Sequence, residues 1–213
     1  MINIHRFTFN PFQENTYLLT NEKKQCFIID PGMYGAEETA SFINYIEKEH
    51  LQPLAVINTH AHIDHIFGLN AVIERFNIPF GLHEKDLPVL ENAATAAMMF
   101  GFEMPQNPPQ PDFTISENEP IKMGSGEIEV RFTPGHSPGS VIFYYAAGGF
   151  AIGGDVLFAG SVGRTDLPGG SFPLLHESIT TQLFTLPGNT VIYPGHGPST
   201  TIKEEKESNP FLQ

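Results

Sequence analysis

The sequence predicts an α/β chain of two β-rich halves, its two sheets packed face to face with helices outside. Three observations lead there. Short apolar runs of strand type, closed by Gly, Pro or Asp, recur in both halves. Stretches with helical spacing of apolar residues lie between them. Residues 104–112, "MPQNPPQPD", hold four prolines in nine positions, at 105, 108, 109 and 111, and read as an extended connector. Residues 1–213 are expected to form a single domain, since the length suffices for one good core but not for two comfortable ones.

In chain order, "NTYLLT" and "QCFIIDPG" read as strands, the second ended by Asp30, Pro31 and Gly32. Residues 36–50 read as a helix, with Phe42, Ile43 and Ile46 at helical spacing and Pro53 just beyond its end. "PLAVINTH" is a strand-type run that delivers His60 at its C-terminal end. "DHIFGLNAVIERF" reads as the next helix, followed by strand "IPFGL" and helix "EKDLPVLENAATAAMMFG". After the connector, "PIKMGSGEIEVRFTPGH" reads as a hairpin through Gly124, Ser125 and Gly126. "SVIFYYA" and "GFAIGGDVLF" are further strands, and a helix at 174–186 and a strand in "NTVIYPGHG" close the chain.

Composition narrows the function. The formal net charge is −13, a poor match for nucleic acid, whose binding relies on Lys and Arg neutralising phosphates. No apolar run approaches the roughly 18 residues a membrane span needs, and no secretion signal opens the chain, so no membrane association is expected. The single cysteine, Cys26, fits a reducing cytoplasm and an inert place in an apolar strand.

The chemistry concentrates in "THAHIDHIFG", which puts His60, His62, Asp64 and His65 within six residues, after a strand and before a helix. Strand ends are where open sheets place ligand sites, and residues i and i+2 of extended chain point the same way, so His60 and His62 can share one ion. Three more strand ends run into Gly-containing turns that carry one ligand-type residue: His136 in "TPGHSPGS", Asp155 in "IGGDVLF" and His196 in "YPGHGPST". Seven imidazole and carboxylate donors with no thiolate argue against a closed structural zinc site and exceed one four-coordinate ion. They suit two divalent ions that share Asp155, three histidines on one and Asp64, His65 and His196 on the other. Zinc is the first choice, and the same donors accept iron or manganese.

Taken in order, these motifs resemble the metal motifs of the metallo-β-lactamase superfamily, and the resemblance spans nearly the whole chain. It implies an αββα sandwich of two mixed sheets, with His60, His62 and His136 on the first metal, Asp64, His65 and His196 on the second, and Asp155 bridging. B1-type lactamases use cysteine where this chain has Asp155. Flavodiiron proteins carry Glu in place of His62, and the RNA-cleaving branch needs an inserted domain. "GDVLFAGSVGRTDLPGGS" resembles the segment after the bridging aspartate in glyoxalase II-like, hydroxyacylglutathione hydrolase-like proteins. That implies hydrolysis of a small-molecule thioester, glutathione thioesters among the candidates, with Asp64 as a catalytic proton acceptor beside its ligand role. Glyoxalase II itself has a C-terminal helical domain that holds glutathione. This chain ends soon after His196, so that recognition is not carried over, and Arg164 is the local candidate for an anionic substrate group. Three alternatives share the fold or the ligands: a persulfide dioxygenase with one iron on His60, His136 and Asp155; a lactonase using Tyr144, Tyr145 or Tyr193; and a metal-binding protein without turnover. Oligomeric state is left open.

Overall fold

The computed structural model describes residues 1–104 and 106–213; Pro105 of the connector lies outside the described residues. The chain divides into two compact units, Met1–Ile115 and Ser116–Gln213.

The first unit is a six-stranded mixed sheet in sequence order, β1 (Asn3–Phe9), β2 (Glu14–Thr20), β3 (Gln25–Ile29), β4 (Gln52–Ile57), β5 (Phe80–Leu82) and β6 (Phe113–Thr114). β1 to β3 form an antiparallel meander, and β3 to β6 run parallel. β1 was not foreseen. It is a half-exposed edge strand whose polar residues alternate with Phe7 and Phe9, and those rings meet Phe42 of α1 (Ala36–Lys48) edge-on. α1 makes the crossover between β3 and β4 and buries Phe42 and Ile46 in the core of this unit. It matches the expected helix 36–50 except at its end, where His50 turns to a positive φ of 54°.

Two expected helices are shorter than their patterns. Residues 64–65 lie in a single tight turn, Ile63–His65, and α2 begins only at Leu69 (Leu69–Phe76). The cause is local: Asn58 Nδ2 donates to the His65 carbonyl at 2.9 Å, which would otherwise serve a continuing helix. The expected helix of 84–101 is a tight turn at Glu84–Asp86, then α3 (Leu87–Glu91) and α4 (Ala93–Met99). Pro88 sits in the first turn of α3, where its missing N–H is harmless, and Asn92 leaves helical geometry between the two. The proline-rich connector is not a free link. Asp112 N–H donates to the Phe80 carbonyl and its carboxylate accepts from Phe80 N–H, both at 2.8 Å, so β6 joins β5 and the boundary falls after it.

The second unit has β7 (Ile121–Met123), β8 (Gly126–Phe132), β9 (Val141–Tyr145), β10 (Phe150–Gly154), a small hairpin β11 (Leu157–Phe158) and β12 (Ser161–Val162), then β13 (Val191–Pro194) and β14 (Thr200–Thr201). The main sheet runs β14-β13-β10-β9-β8-β7, antiparallel except for β10 beside β13. The expected hairpin is present: Met123 pairs with Gly126, and Gly124 takes the left-handed φ of 61° that the turn needs. α5 (Phe172–Ser178) runs into a wider turn at Ile179–Leu183, in place of one helix over 174–186; Leu175, Ile179 and Leu183 cover Ile142, Ala151 and Ile192. α6 (Ile202–Ser208) was also not foreseen, although Thr201 and Glu204 form a capping box readable as T-x-x-E.

Cys26 is fully buried in β3, and burial pushes its thiol up to about 12. In the native protein at mildly alkaline pH, Ellman's reagent is expected to release no thiolate, and the full signal of one cysteine should appear only on denaturation.

Candidate metal centre

In the first unit, β3 and β4 are parallel neighbours, so their C-terminal ends lie at one sheet edge. β3 ends in Asp30 and β4 runs on to Asn58, Thr59 and His60. Asp30 is buried and holds a left-handed φ of 51°, costly for a residue with a side chain. Its carboxylate takes three donors: Thr59 N–H at 2.7 Å, the Thr59 hydroxyl at 2.6 Å and His65 Nδ1 at 3.1 Å. With its oxygens so engaged, Asp30 orients His65 from behind. The network thereby assigns the proton of His65 to Nδ1 and turns Nε2 toward Asp64, whose Oδ2 is 3.8 Å away. His60 is set the same way, its Nδ1 lying 3.1 Å from the Thr59 hydroxyl. The His60 ring centroid lies 4.8 Å from that of His62 and 4.1 Å from that of His65.

Behind this row sit residues that sequence reasoning missed. Asp86 is fully buried and accepts Ala61 N–H at 2.6 Å, pinning the backbone between His60 and His62. Glu14 is fully buried with Oε1 3.9 Å from His65 Nδ1. Burial pushes its carboxyl well above the usual carboxylate range, against the pull of His65. The Thr16 hydroxyl lies 2.8 Å from both Glu14 Oε2 and the Asp30 carbonyl as a donor, and it accepts Gly32 N–H at 3.0 Å. From sequence Asp30 reads only as a strand end, and a strand-terminal Asp upstream of a histidine is its sole signal.

In the second unit, β10 and β13 are again parallel, and they deliver Asp155 and His196 to one edge. Gly195 N–H donates to the Gly154 carbonyl at 2.8 Å and ties the two ends together. His136 follows β8 in a turn closed by Thr133 and Ser140. Asp155 Oδ2 lies 3.5 Å from His136 Nε2 and 3.4 Å from His196 Nε2. Donor atoms on a tetrahedral ion with bonds of about 2.0–2.2 Å stand about 3.4 Å apart, so one carboxylate oxygen is at coordination spacing from both imidazoles. The donor set fits a divalent metal on that count and on its chemistry.

His136 Nδ1 donates to the Arg164 carbonyl at 2.8 Å, which leaves Nε2 for a metal. That carbonyl is brought in by Gly163, whose Cα lies so near the Asp155 carbonyl that any Cβ would overlap it. The hairpin before it is clamped from α6: buried Glu205 accepts Gly160 N–H at 3.0 Å, and Asn209 Nδ2 donates to the Ser161 carbonyl at 3.0 Å. The Arg164 side chain forms two 2.7 Å bonds to Asp166 in an exposed pair, and they hold the Asp166 carboxyl down to about 2. Arg164 thus supports His136 through its backbone while its guanidinium is engaged by a neighbour. Among the tyrosines, Tyr144 lies under the Arg131 guanidinium, and Tyr145 and Tyr193 flank Phe150.

The family model described as Metallo-beta-lactamase superfamily matches residues 9–196. The chain is 42% identical over 97% of its length to a probable metallo-hydrolase, YqgX, of Bacillus subtilis, covering 96% of that protein. It is 35% identical over 99% of its length to hydroxyacylglutathione hydrolase GloC of Haemophilus influenzae, covering 98% of it. Among solved structures, BLEG-1 B3 metallo-beta-lactamase matches with a TM-score of 0.90 and 39% identity, covering 99% of this chain and all of that one. TTHA1623 in a di-iron-bound form matches at 0.88 and 39%, covering 98% and 100%.

Asp30→Asn would turn an N–H₂ toward groups that themselves donate. It is expected to weaken metal retention about 10- to 100-fold, read by competition with a chromogenic chelator, with little change in the circular dichroism of the fold.

Proposed function

The chain belongs to the metallo-beta-lactamase superfamily, and from that premise we propose that it is a metal-dependent hydrolase acting on small-molecule thioesters. The observation that carries the reading is Asp155 Oδ2 at coordination spacing from two imidazoles, a placement from which this carboxylate would serve as a metal donor beside both. The similarity to GloC over nearly its whole length supports the thioester class. His60, His62 and His136 are the proposed donors of one ion, Asp64, His65 and His196 of the other, with Asp155 common to both. Zinc is the proposed metal; the di-iron form of TTHA1623 makes iron the competitor to test. Divalent ions held by these residues would supply a nucleophilic water at neutral pH and positive charge for a developing oxyanion.

The chain's own residues do the rest. Asp30, Thr59 and the Arg164 carbonyl each hold the Nδ1 side of an imidazole, so the Nε2 lone pairs stay aimed without reorganisation. Asp64 is partly exposed beside His65 and is the proposed acceptor of the proton released when water is activated. A thiolate is a good leaving group, so no strong general acid is needed opposite it. Arg164, paired with Asp166 but open to solvent, is the proposed contact for an anionic substrate group. A second reading, β-lactam hydrolysis, is favoured by the 39% identity to BLEG-1.

Purified protein is expected to carry close to two divalent ions per chain and to turn over S-lactoylglutathione or another thioester, with Asp155→Ala losing at least about 100-fold in kcat/KM and most of its metal. One iron per chain with oxygen uptake on glutathione persulfide would defeat the proposal, and turnover of a cephalosporin without any thioester would favour the second reading.

A further inference from the structure

The C-terminal end of α4 is the most exposed apolar part of the first unit. Met98 and Met99 are 77% and 83% exposed, and Phe100 and Phe12 remain 46% and 36% exposed. The two phenylalanines do not stand apart, and Met98 and Met99 precede Phe100 in the chain. Phe12 lies against Phe102 at 5.0 Å and meets Phe100 edge-on at 6.2 Å, and Tyr34 and Phe67 complete the layer behind Phe102 at 5.3 and 5.5 Å. Phe67 and Phe102 rest on the buried core of the unit, so the layer has a firm underside and an open top.

Its position matters more than its size. α4 packs against the Ile63–His65 turn, which carries Asp64 and His65. Phe67 follows His65 by two residues. Asn10 Nδ2 donates to the Asp64 carbonyl at 3.0 Å while its Oδ1 accepts Phe12 N–H at 2.9 Å, so one side chain ties the aromatic layer to the ligand turn. The shelf therefore starts at the proposed metal donors of this unit.

Its charge selects the occupant. Phe12 lies in a stretch, 7–22, without Lys or Arg; so do Tyr34 in 25–47, Phe67 in 49–74, and the methionines and Phe100 in 86–121. An anionic tripeptide thiol finds no cation in those stretches. An apolar group finds aromatic faces and two adaptable thioethers. We infer that this shelf binds the apolar acyl group of the thioester substrate, an aromatic or medium-length alkyl chain. The inference rests on the hydrolase reading above and narrows its substrate class.

The test uses zinc-loaded protein labelled with methyl-¹³C methionine, and acyl derivatives of one thiol: acetyl, lactoyl, hexanoyl and phenylacetyl. The phenylacetyl or hexanoyl ester is expected to exceed acetyl in kcat/KM by about tenfold or more. That ratio should fall toward one in Phe12→Ala and in the double variant Met98→Gln, Met99→Gln, whose side chains are exposed enough to change without unfolding the chain. Free phenylacetate should move the Met98 and Met99 methyl signals and leave Met123, in the other unit, in place. Those shifts without hydrolysis of any thioester would support the shelf and sink the thioesterase reading. Equal turnover of all acyl groups with unmoved methionines would overturn the shelf and leave the thioesterase reading intact. Methionine signals that follow protein concentration and ignore phenylacetate would also overturn it, giving the face to a second copy of the chain.

Discussion

Each well-placed imidazole of the candidate centre is fixed through one nitrogen so that the other is aimed as a metal donor, and much of the surrounding structure follows from that constraint. His65 gives Nδ1 to Asp30, His60 to Thr59, and His136 to a backbone carbonyl. A histidine held this way has its tautomer and ring plane set before any ion arrives. The costs appear around it. Asp30 sits at a left-handed φ, Gly163 is the residue that lets the Arg164 carbonyl reach His136, and Glu14 lies buried where ionisation is disfavoured. Local strain of this kind persists only where packing over-determines it, and the fully buried β2 and the buried residues 26–29 of β3 do so beneath Asp30.

The donors themselves were legible because they are dense and punctuated: four in "HAHIDH", the rest in turns flanked by glycine. The two sheets, the hairpin at Gly124 and the order of the long elements were legible for a similar reason, since turn residues and apolar runs alternate plainly; that the sheets are mixed came from the family resemblance. The supporting layer was not. Asp30 precedes His65 by 35 residues, Asp86 follows Ala61 by 25, and Glu205 lies 45 beyond Gly160. Such pairs exist only once strands have aligned, and single Asp or Glu residues in a sequence this acidic carry no mark of their partners. β1 escaped notice because an edge strand with one wet face has a weak apolar signal. β6 escaped because prolines precede it and it has only two residues.

The two shortened helices show where local pattern gave way to the site. After His65 the spacing of Ile66, Leu69 and Val72 favours helix from the start, yet Asn58 claims the His65 carbonyl and Gly68 N–H turns to the Pro31 carbonyl. Helical propensity is worth a few tenths of a kcal/mol per residue, which a buried side-chain to backbone network overrides. The same occurs at 84–86, where Asp86 is turned to Ala61 and the helix begins only after it.

Both units reach their donors by one device. Each sheet holds antiparallel strands together with a parallel neighbour pair, β3 beside β4 in the first and β10 beside β13 in the second. An antiparallel partner would send the second C-terminal end to the opposite edge, about 15–20 Å away for a strand of five or six residues. The parallel pair instead brings Asp30 and His60 together in one unit, and Asp155 and His196 in the other. A crossover helix is the cost of that arrangement, met by α1 in the first unit and α5 in the second. The similar element content of the two halves, visible in the sequence without any repeat of residues, thus reflects a shared requirement: a carboxylate and an imidazole at adjacent strand ends.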